Sequence, residues 1–351
     1  MFSKNLKYYR LKKNMTKKAL ADACGVSSMA ISNYEKGIRN PDMATINKLA
    51  EVLDVKVADF LEVRNSSIDF EHNGFRKHSA LSQNMQEYIR EAVEEYFNRF
   101  FNAVECVGGN PLPDPVKCHS LKPSGDFAKD ARMLRAEMGF PKDGPIIGLK
   151  TILENRGVLV LEILVGNDKF SGMNGTVNDY PYIVVNKGMT EERIRSTIAH
   201  ELVHIMFDLT EDMDEEEFAT KISGAFLISK TDLERELGLR RKAVTNDFIL
   251  VCEEYGVSML LLVLRARQAN IITDYTYKDF FMKASKAGWR KKEPSRIRTE
   301  EVSLFRQLVY RAIAEDSISV QKGAELLQEP YYTVENNSKN RVLEDLDGVY
   351  Q

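Results

Sequence analysis

The sequence predicts a mainly helical protein with one small sheet, an α+β chain, and three observations carry that prediction. Apolar residues recur every three to four positions through most of the chain. Only "GVLVLEILV" and "YPYIVVN" read as strands, with "SGMNGTVND" between them as a third short strand or a hairpin turn. The composition, 43% apolar and 29% charged, supplies buried cores and excludes disorder of the chain as a whole. At 351 residues there is room for two or three domains.

Residues 2 to 62 read as five short helices. Phe2, Leu6 and Tyr9 open an amphipathic pattern, Thr16 caps a second helix, and Gly25 breaks it before Ser27 caps a third. Gly37 ends the third, "RNPD" turns into a fourth from Asp42 to Leu53, and "DVKVADFLE" supplies the fifth. The polar stretch from Arg64 to about Lys77 is expected to be a linker. After it, Met85, Ile89, Val93, Tyr96, Phe97, Phe100 and Phe101 stand at helical spacing, the mark of one long helix with an apolar face. That face suits a core better than a dimer contact.

"GGNPLPDPVKCHSLKPSGD" is rich in Pro and Gly and reads as a loop, followed by a helix at "FAKDARMLRAEMG", the strands, and a helix starting near Thr190. From there the pattern is nearly all helical, through "EEEFATKISGAFLI", "TDLERELG", "RKAVTNDFILVCEEYG", "SMLLLVLRARQANI", "DYTYKDFFMKASKAG", "EVSLFRQLVYRAIAED" and "SVQKGAELLQ". The last dozen or so residues lack periodicity and read as a loose tail.

Four scattered cysteines, with no CxxC pair, argue against a disulfide framework and a cysteine-rich zinc module. The longest apolar run, Met259 to Leu264, is far too short to span a bilayer, and the basic amino terminus lacks the apolar stretch of a signal peptide. A cytoplasmic protein with no membrane partner is the expectation. The net charge of −3 conceals an asymmetry: residues 1 to 64 hold twelve Lys or Arg against seven Asp or Glu. That basic end suits a polyanion.

"IRSTIAHELVHIMF" contains HExxH. His200 and His204, four apart on a helix, project from one face and can reach a single ion, with Glu201 at the edge of that face. Zinc suits imidazole donors, and a catalytic zinc keeps a position open for water, lowering its pKa toward about 7. Glu201 is then the base that takes a proton as the water attacks a peptide carbonyl. No histidine lies downstream, so a carboxylate must complete the site. Glu216 is preferred, because Ala219, Thr220, Ser223 and Gly224 would share its face and let two helices approach; Asp214, Glu215 and Glu217 stay open.

"MTKKALADACGVSSMAISNYEKGIRNPDMATINKLAEVLDV" has the layout of a helix-turn-helix, with Gly25 at the turn. Its second helix would enter the major groove with Ser28, Met29, Ser32 and Asn33 toward base edges, while Lys17, Lys18, Lys36 and Arg39 would meet phosphates. One module buries little DNA, so a homodimer reading two half-sites of an operator is expected.

Both halves resemble known families. Residues 5 to 61, with "ALADACGVSSMAISNYEKGIRNP", resemble the XRE-type (Cro/C1) helix-turn-helix repressors. Residues from about 130 to 230, with "IRSTIAHELVHIMF" and "EEEFATKISGAFL", resemble the ImmA/IrrE metallopeptidases, and "AGWRKKEPSRI" and "LVYRAIAEDSISVQKGAELL" fit their repressor-fused members. The resemblance implies a zinc peptidase that cleaves a specific XRE-type repressor, often in prophages, mobile elements, stress responses or toxin–antitoxin loci. It also implies a division into a helix-turn-helix DNA-binding domain at 1–64, a linker and long helix at 65–125, a zincin-like peptidase domain with a short sheet at 126–230, a C-terminal helical region at 231–335 and a tail at 336–351. Two departures stand out. Many members carry Glu-Ala-Asn-x-Phe-Ala where four acids here precede Phe218 and Ala219, and "FLIS" replaces the usual Leu-Met-Pro.

The function expected is a transcriptional regulator carrying a zinc endopeptidase that cuts a partner repressor or its own chain, in the linker Arg64 to Lys77 or the loop Gly108 to Asp126. The competing class is a non-enzymatic, antitoxin-like repressor with a structural or sensory metal site. The adjacent Glu201 favours the enzyme, because structural zinc normally has four protein ligands.

Overall fold

The computed structural model describes residues 2–61, 68–73, 81–289 and 293–339. It divides into two units, one formed by residues 1–109 with 305–351 and the other by residues 110–304.

In the first unit, α1 (Phe2–Lys12), α2 (Lys17–Cys24), α3 (Ser28–Glu35) and α4 (Met43–Leu53) follow the expected order. The starts of α2, α3 and α4 are each set by a short polar side chain that accepts an otherwise unpaired backbone N–H: Thr16 from Ala19 at 3.1 Å, Ser27 from Ala30 at 3.1 Å and Asp42 from Thr45 at 2.8 Å. Gly25, at φ 69°, ends α2 in the left-handed conformation that glycine adopts without strain. Leu6, Leu20, Ile31, Leu49, Leu53 and Phe60 close the core with no exposed surface.

The expected fifth helix is present as a 3₁₀ turn, Val57–Leu61. Asp59 accepts the Lys56 N–H at 2.8 Å, and two β-branched valines flank so short a segment that an α-helical nucleus gains little. Within the expected linker, Phe70–Asn73 is a strand, β1; residues 64–67 and 74–77 lie outside the described residues. Next comes α5 (Gln83–Val107), capped by Ser82, and its Ile89, Val93, Phe97, Phe100 and Phe101 are buried as a core face. Lys7 of α1 ties to Glu91 of α5 at 3.0 Å.

The second unit contains α6 (Phe127–Glu137), α7 (Leu149–Asn155), β2 (Leu159–Ile163), β3 (Gly172–Val177), β4 (Tyr180–Asn186), α8 (Glu191–Met206) and α9 (Glu215–Leu227). It continues with α10 (Lys230–Leu237), α11 (Asp247–Tyr255), α12 (Met259–Gln268) and α13 (Asp274–Lys286). β4 is central to these three strands, parallel to β2 and antiparallel to β3, with Asn174 opposite Ile183. "SGMNGTVND" thus supplies both the strand and the turn: Asn178 and Asp179, at φ 47° and 68°, link β3 to β4. The short α7 was not foreseen; it has only seven residues, and it buries Leu149 and Leu153.

Helix α8 packs on β3 and β4, and Ile198, Ala199, Leu202 and Val203 have no exposed surface. Its last carbonyls are satisfied by the loop before α6. His119 N–H donates to Ile205 O at 2.9 Å, Leu121 N–H to Met206 O at 3.0 Å, and Asp208 N–H returns to Leu121 O at 2.8 Å. The "FLIS" departure has a local role: Ser229 caps α10 in a capping box with Asp232, and buried Arg135 donates to the carbonyls of Phe226 at 2.7 Å and Leu227 at 3.3 Å.

An extended segment after α13 is fastened across this unit. Glu293 accepts the first N–H groups of α12, from Met259 and Leu260. Arg296 N–H donates to Glu253 at 2.9 Å. Glu300 then joins two elements: its carboxylate accepts Arg195 of α8 and the Lys150 N–H, and its carbonyl accepts Lys150 Nζ at 2.6 Å. Lys150, fully buried, also pairs with Glu162 at 2.7 Å and Glu191 at 2.8 Å.

The remaining helices, α14 (Leu304–Ala314), α15 (Val320–Leu327) and α16 (Tyr331–Ser338), return to the first unit. Arg99 of α5 pairs with Glu95 at 2.7 Å and donates to Leu326 O, and Gln328 donates to Glu95 at 2.9 Å. α16 occupies the first residues of the expected tail, ending where "YYTVENNS" runs out; residues 340–351 lie outside the described residues. No helix among the described residues is long and apolar enough to cross a membrane.

Candidate metal centre

Two consecutive turns of α8 and the first turn of α9 converge on one point. His200 Nε2 and His204 Nε2 are 3.2 Å apart. Glu216 brings Oε2 to 3.3 Å from His200 Nε2 and Oε1 to 3.7 Å from His204 Nε2. Among the described residues these three make the one group of His, Cys, Asp or Glu whose ligand atoms all lie within 4.8 Å of one another. The donor set fits zinc: two imidazoles and a carboxylate at bond lengths near 2.0–2.1 Å on a tetrahedron require edges of about 3.3 Å.

Two of the three acids left open by sequence have other uses. Asp214 is the N-cap of α9, accepting the N–H groups of Glu216 and Glu217 at 3.0 Å each. Glu217 pairs with Lys221, one turn on, at 2.6 Å. The small-residue argument for Glu216 holds for Ala219 and Ser223, which are buried, but not for the other two. Thr220 is exposed, and Gly224 faces α12, where a Cβ would meet Arg265 Cδ at 3.2 Å and Leu261 Cδ1 at 3.3 Å.

Glu201 lies beside this group with only 8% of its surface exposed. Burial pushes its carboxyl up to about 7; the hydrogen bond from Asn174 opposes the rise and the charge of Glu216 adds to it. Asn174 Nδ2 donates to Glu201 Oε2 at 2.7 Å. The sequence reading missed this partner, although an asparagine between two glycines of a strand, "GMNG", was a signal of close backbone approach and of a polar side chain needing a mate.

In the first unit, the residues expected on DNA lie on or near α3. Ser28 and Met29 are exposed, Met29 to 69%, while Ser32 and Asn33 are half-buried. Lys18, Lys36 and Arg39 are exposed. Lys17 is drawn toward Glu35 at 3.6 Å, so its charge is shared with that acid. Glu35 is itself held by Arg10, whose Nη1 also donates to Met15 O at 2.7 Å.

Comparison with known proteins divides the chain in the same order. Residues 6–60 match the helix-turn-helix family HTH_3, and residues 153–267 match the IrrE N-terminal-like domain of the Peptidase_M78 family. The "Uncharacterized HTH-type transcriptional regulator YqaE" of Bacillus subtilis (strain 168) is 41% identical over 61 residues, 17% of this chain and 52% of that protein. The "Cryptic phage CTXphi transcriptional repressor RstR" of Vibrio cholerae is 29% identical over 69 residues, 20% of this chain and 62% of that protein. The chain thus spans about half to two thirds of the length of these relatives. A solved structure of Bacillus thuringiensis PlcR in complex with the peptide PapR7 and DNA is 13% identical, covering 97% of this chain and 99% of that one, with a TM-score of 0.18, too low to relate the folds.

Proposed function

We propose that this chain, which joins an XRE-type helix-turn-helix segment to an IrrE N-terminal-like domain, is a DNA-binding transcriptional regulator whose second unit is a zinc-dependent endopeptidase. The observation that carries the reading is the convergence of His200, His204 and Glu216, with a buried carboxylate that is not among the ligands beside them. His200, His204 and Glu216 would hold the ion, leaving a fourth position to water or substrate. The zinc would act as a Lewis acid toward a peptide carbonyl and its attacking water. Glu201, a buried carboxylate beside these three, would accept that water's proton and pass it to the leaving amine.

The substrate is an XRE-type repressor or the chain itself. Within the loop Gly108 to Asp126, the stretch from His119 to Leu121 is a poor site for cutting in cis, because both of those residues are pinned to the end of α8. At the other end, α3 would lie in the major groove with Ser28 and Met29 foremost, flanked by Lys36 and Arg39, and two copies would read an operator as a homodimer. All four cysteines are free thiols, which supports a cytoplasmic setting.

The deciding experiment pairs metal analysis of the purified chain with mass spectrometry of the chain and of candidate XRE-type repressors incubated with zinc. One zinc per chain and a cut that Glu201→Gln abolishes, while metal and DNA binding persist, is the expected result. Cleavage that survives Glu201→Gln would remove the enzymatic reading; zinc without any cleavage would leave a structural or sensory site in a repressor.

A further inference from the structure

The contact between α8 and β3 is built at two successive levels. Gly172 and Asn174 stand on the same face of β3, two residues apart; Thr197 and Glu201 stand on the same face of α8, four apart. At the first level a Cβ on Gly172 would fall 2.5 Å from Thr197 Cγ2 and 2.8 Å from Val184 O, so glycine alone admits the helix at this distance. At the second level that close approach is used by Asn174, whose amide reaches Glu201 Oε2 at 2.7 Å. Both partners are nearly buried, Asn174 at 7% and Glu201 at 8% exposure.

We infer that Asn174 is a positioning residue: its side-chain amide anchors one oxygen of Glu201, keeping that carboxylate out of the ligand group and available for proton transfer. This inference rests on the metallopeptidase reading. The reason is electrostatic. A buried carboxylate without a donor is costly, and it moves to whatever positive charge is in reach. Beside His200 and His204 that charge would be a bound cation, and a glutamate that ligates the ion no longer serves as a base. Asn174 supplies the donor instead, from a strand rather than a loop, so the anchor is rigid.

The test uses the full chain with zinc and with cobalt as a spectroscopic substitute, comparing the wild type, Asn174→Leu, Glu201→Gln and the double variant. Loss of the anchor is expected to release Glu201 toward the ion. Asn174→Leu should then change the visible absorption of the cobalt form toward higher coordination and tighten zinc binding. In the Glu201→Gln background the same substitution should leave spectrum and affinity unchanged within two-fold. Should Asn174→Leu fail to fold by circular dichroism, Asn174→Ala, smaller and without any donor, takes its place. Superimposable spectra and equal affinities for wild type and variant would overturn the inference. A change that persists in the Glu201→Gln background would overturn it too, since Asn174 would then act on the histidines. A wild-type chain that binds neither ion instead removes the metallopeptidase reading and this role with it.

Discussion

Arg10 and Glu35, 25 positions apart, form a two-pronged ion pair inside the helix-turn-helix unit, with side chains only 2% and 3% exposed. The pair ties α1 to the end of α3, the helix expected to read DNA. Removing one partner strands a buried charge, which typically costs about 3–5 kcal/mol. Glu35→Ala is therefore expected to unfold the first unit at lower urea than the wild type and to abolish operator binding, while zinc binding by the second unit persists. Chemical denaturation followed by tyrosine fluorescence, with zinc titration of the same preparation, checks it.

His204→Ala removes one of the three donors proposed to hold the ion. Zinc content should fall from one per chain to near zero. The wild type should gain about 2.7 kcal/mol of stability when free zinc stands at a hundred times its dissociation constant, and the variant nothing. Thermal melting with and without zinc reads both.

Glu154 carries a pH dependence. Burial pushes its carboxyl up to about 7, against hydrogen bonds from the Leu304 and Ser303 backbone that lower it. A carboxylate raised in the fold binds its proton more tightly there than in the unfolded chain. Its protonation therefore supports the fold fully below the unfolded value near 4.5, and that support is lost as pH rises through about 7. The loss amounts to roughly 3 kcal/mol. Glu201 slopes in the same direction, so the comparison is between wild type and Glu154→Gln: the variant should be the more stable at pH 8, by an amount that shrinks toward pH 5. Urea midpoints at four pH values decide it.

Gly172→Ala drives a methyl into Thr197 Cγ2 and the Val184 carbonyl. Overpacking of this kind costs about 1–3 kcal/mol. The melting temperature should drop, and Thr197→Ser, which removes the struck methyl, should recover part of it. Equal melting of wild type and Gly172→Ala would show that helix and strand separate freely.

The sequence was most legible where one local rule set the outcome. Thr16 and Ser27 cap the helices they were expected to cap, because a short side chain before an apolar-periodic run has few other uses. HExxH placed both imidazoles on one face for the same reason, since the 3.6-residue turn leaves no alternative. Glu216 was chosen among four acids by an argument that is only half right, for Thr220 and Gly224 do not face α8. α7 and α16 were passed over because neither start has a capping side chain, with Gly148 and Pro330 at their N-caps, whereas the similarly short α10 and α15 are marked by Ser229 and Ser319. Asn174 was missed for a deeper reason: its partner is 27 residues away, and no local pattern announces which strand residue a helix will meet.

Glu300 also governs when the second unit can finish folding. Arg195 and Lys150, which hold the start of α8, take their acceptors from a residue 105 and 150 positions later in the chain. Arg195 also donates to the carbonyls of Ile146 and Gly256, and Lys150 also pairs with Glu162 and Glu191, so Glu300 completes a set of acceptors that the earlier chain has only begun. The start of the histidine helix thus has its full set of partners only once that glutamate has been made, well after the helix itself.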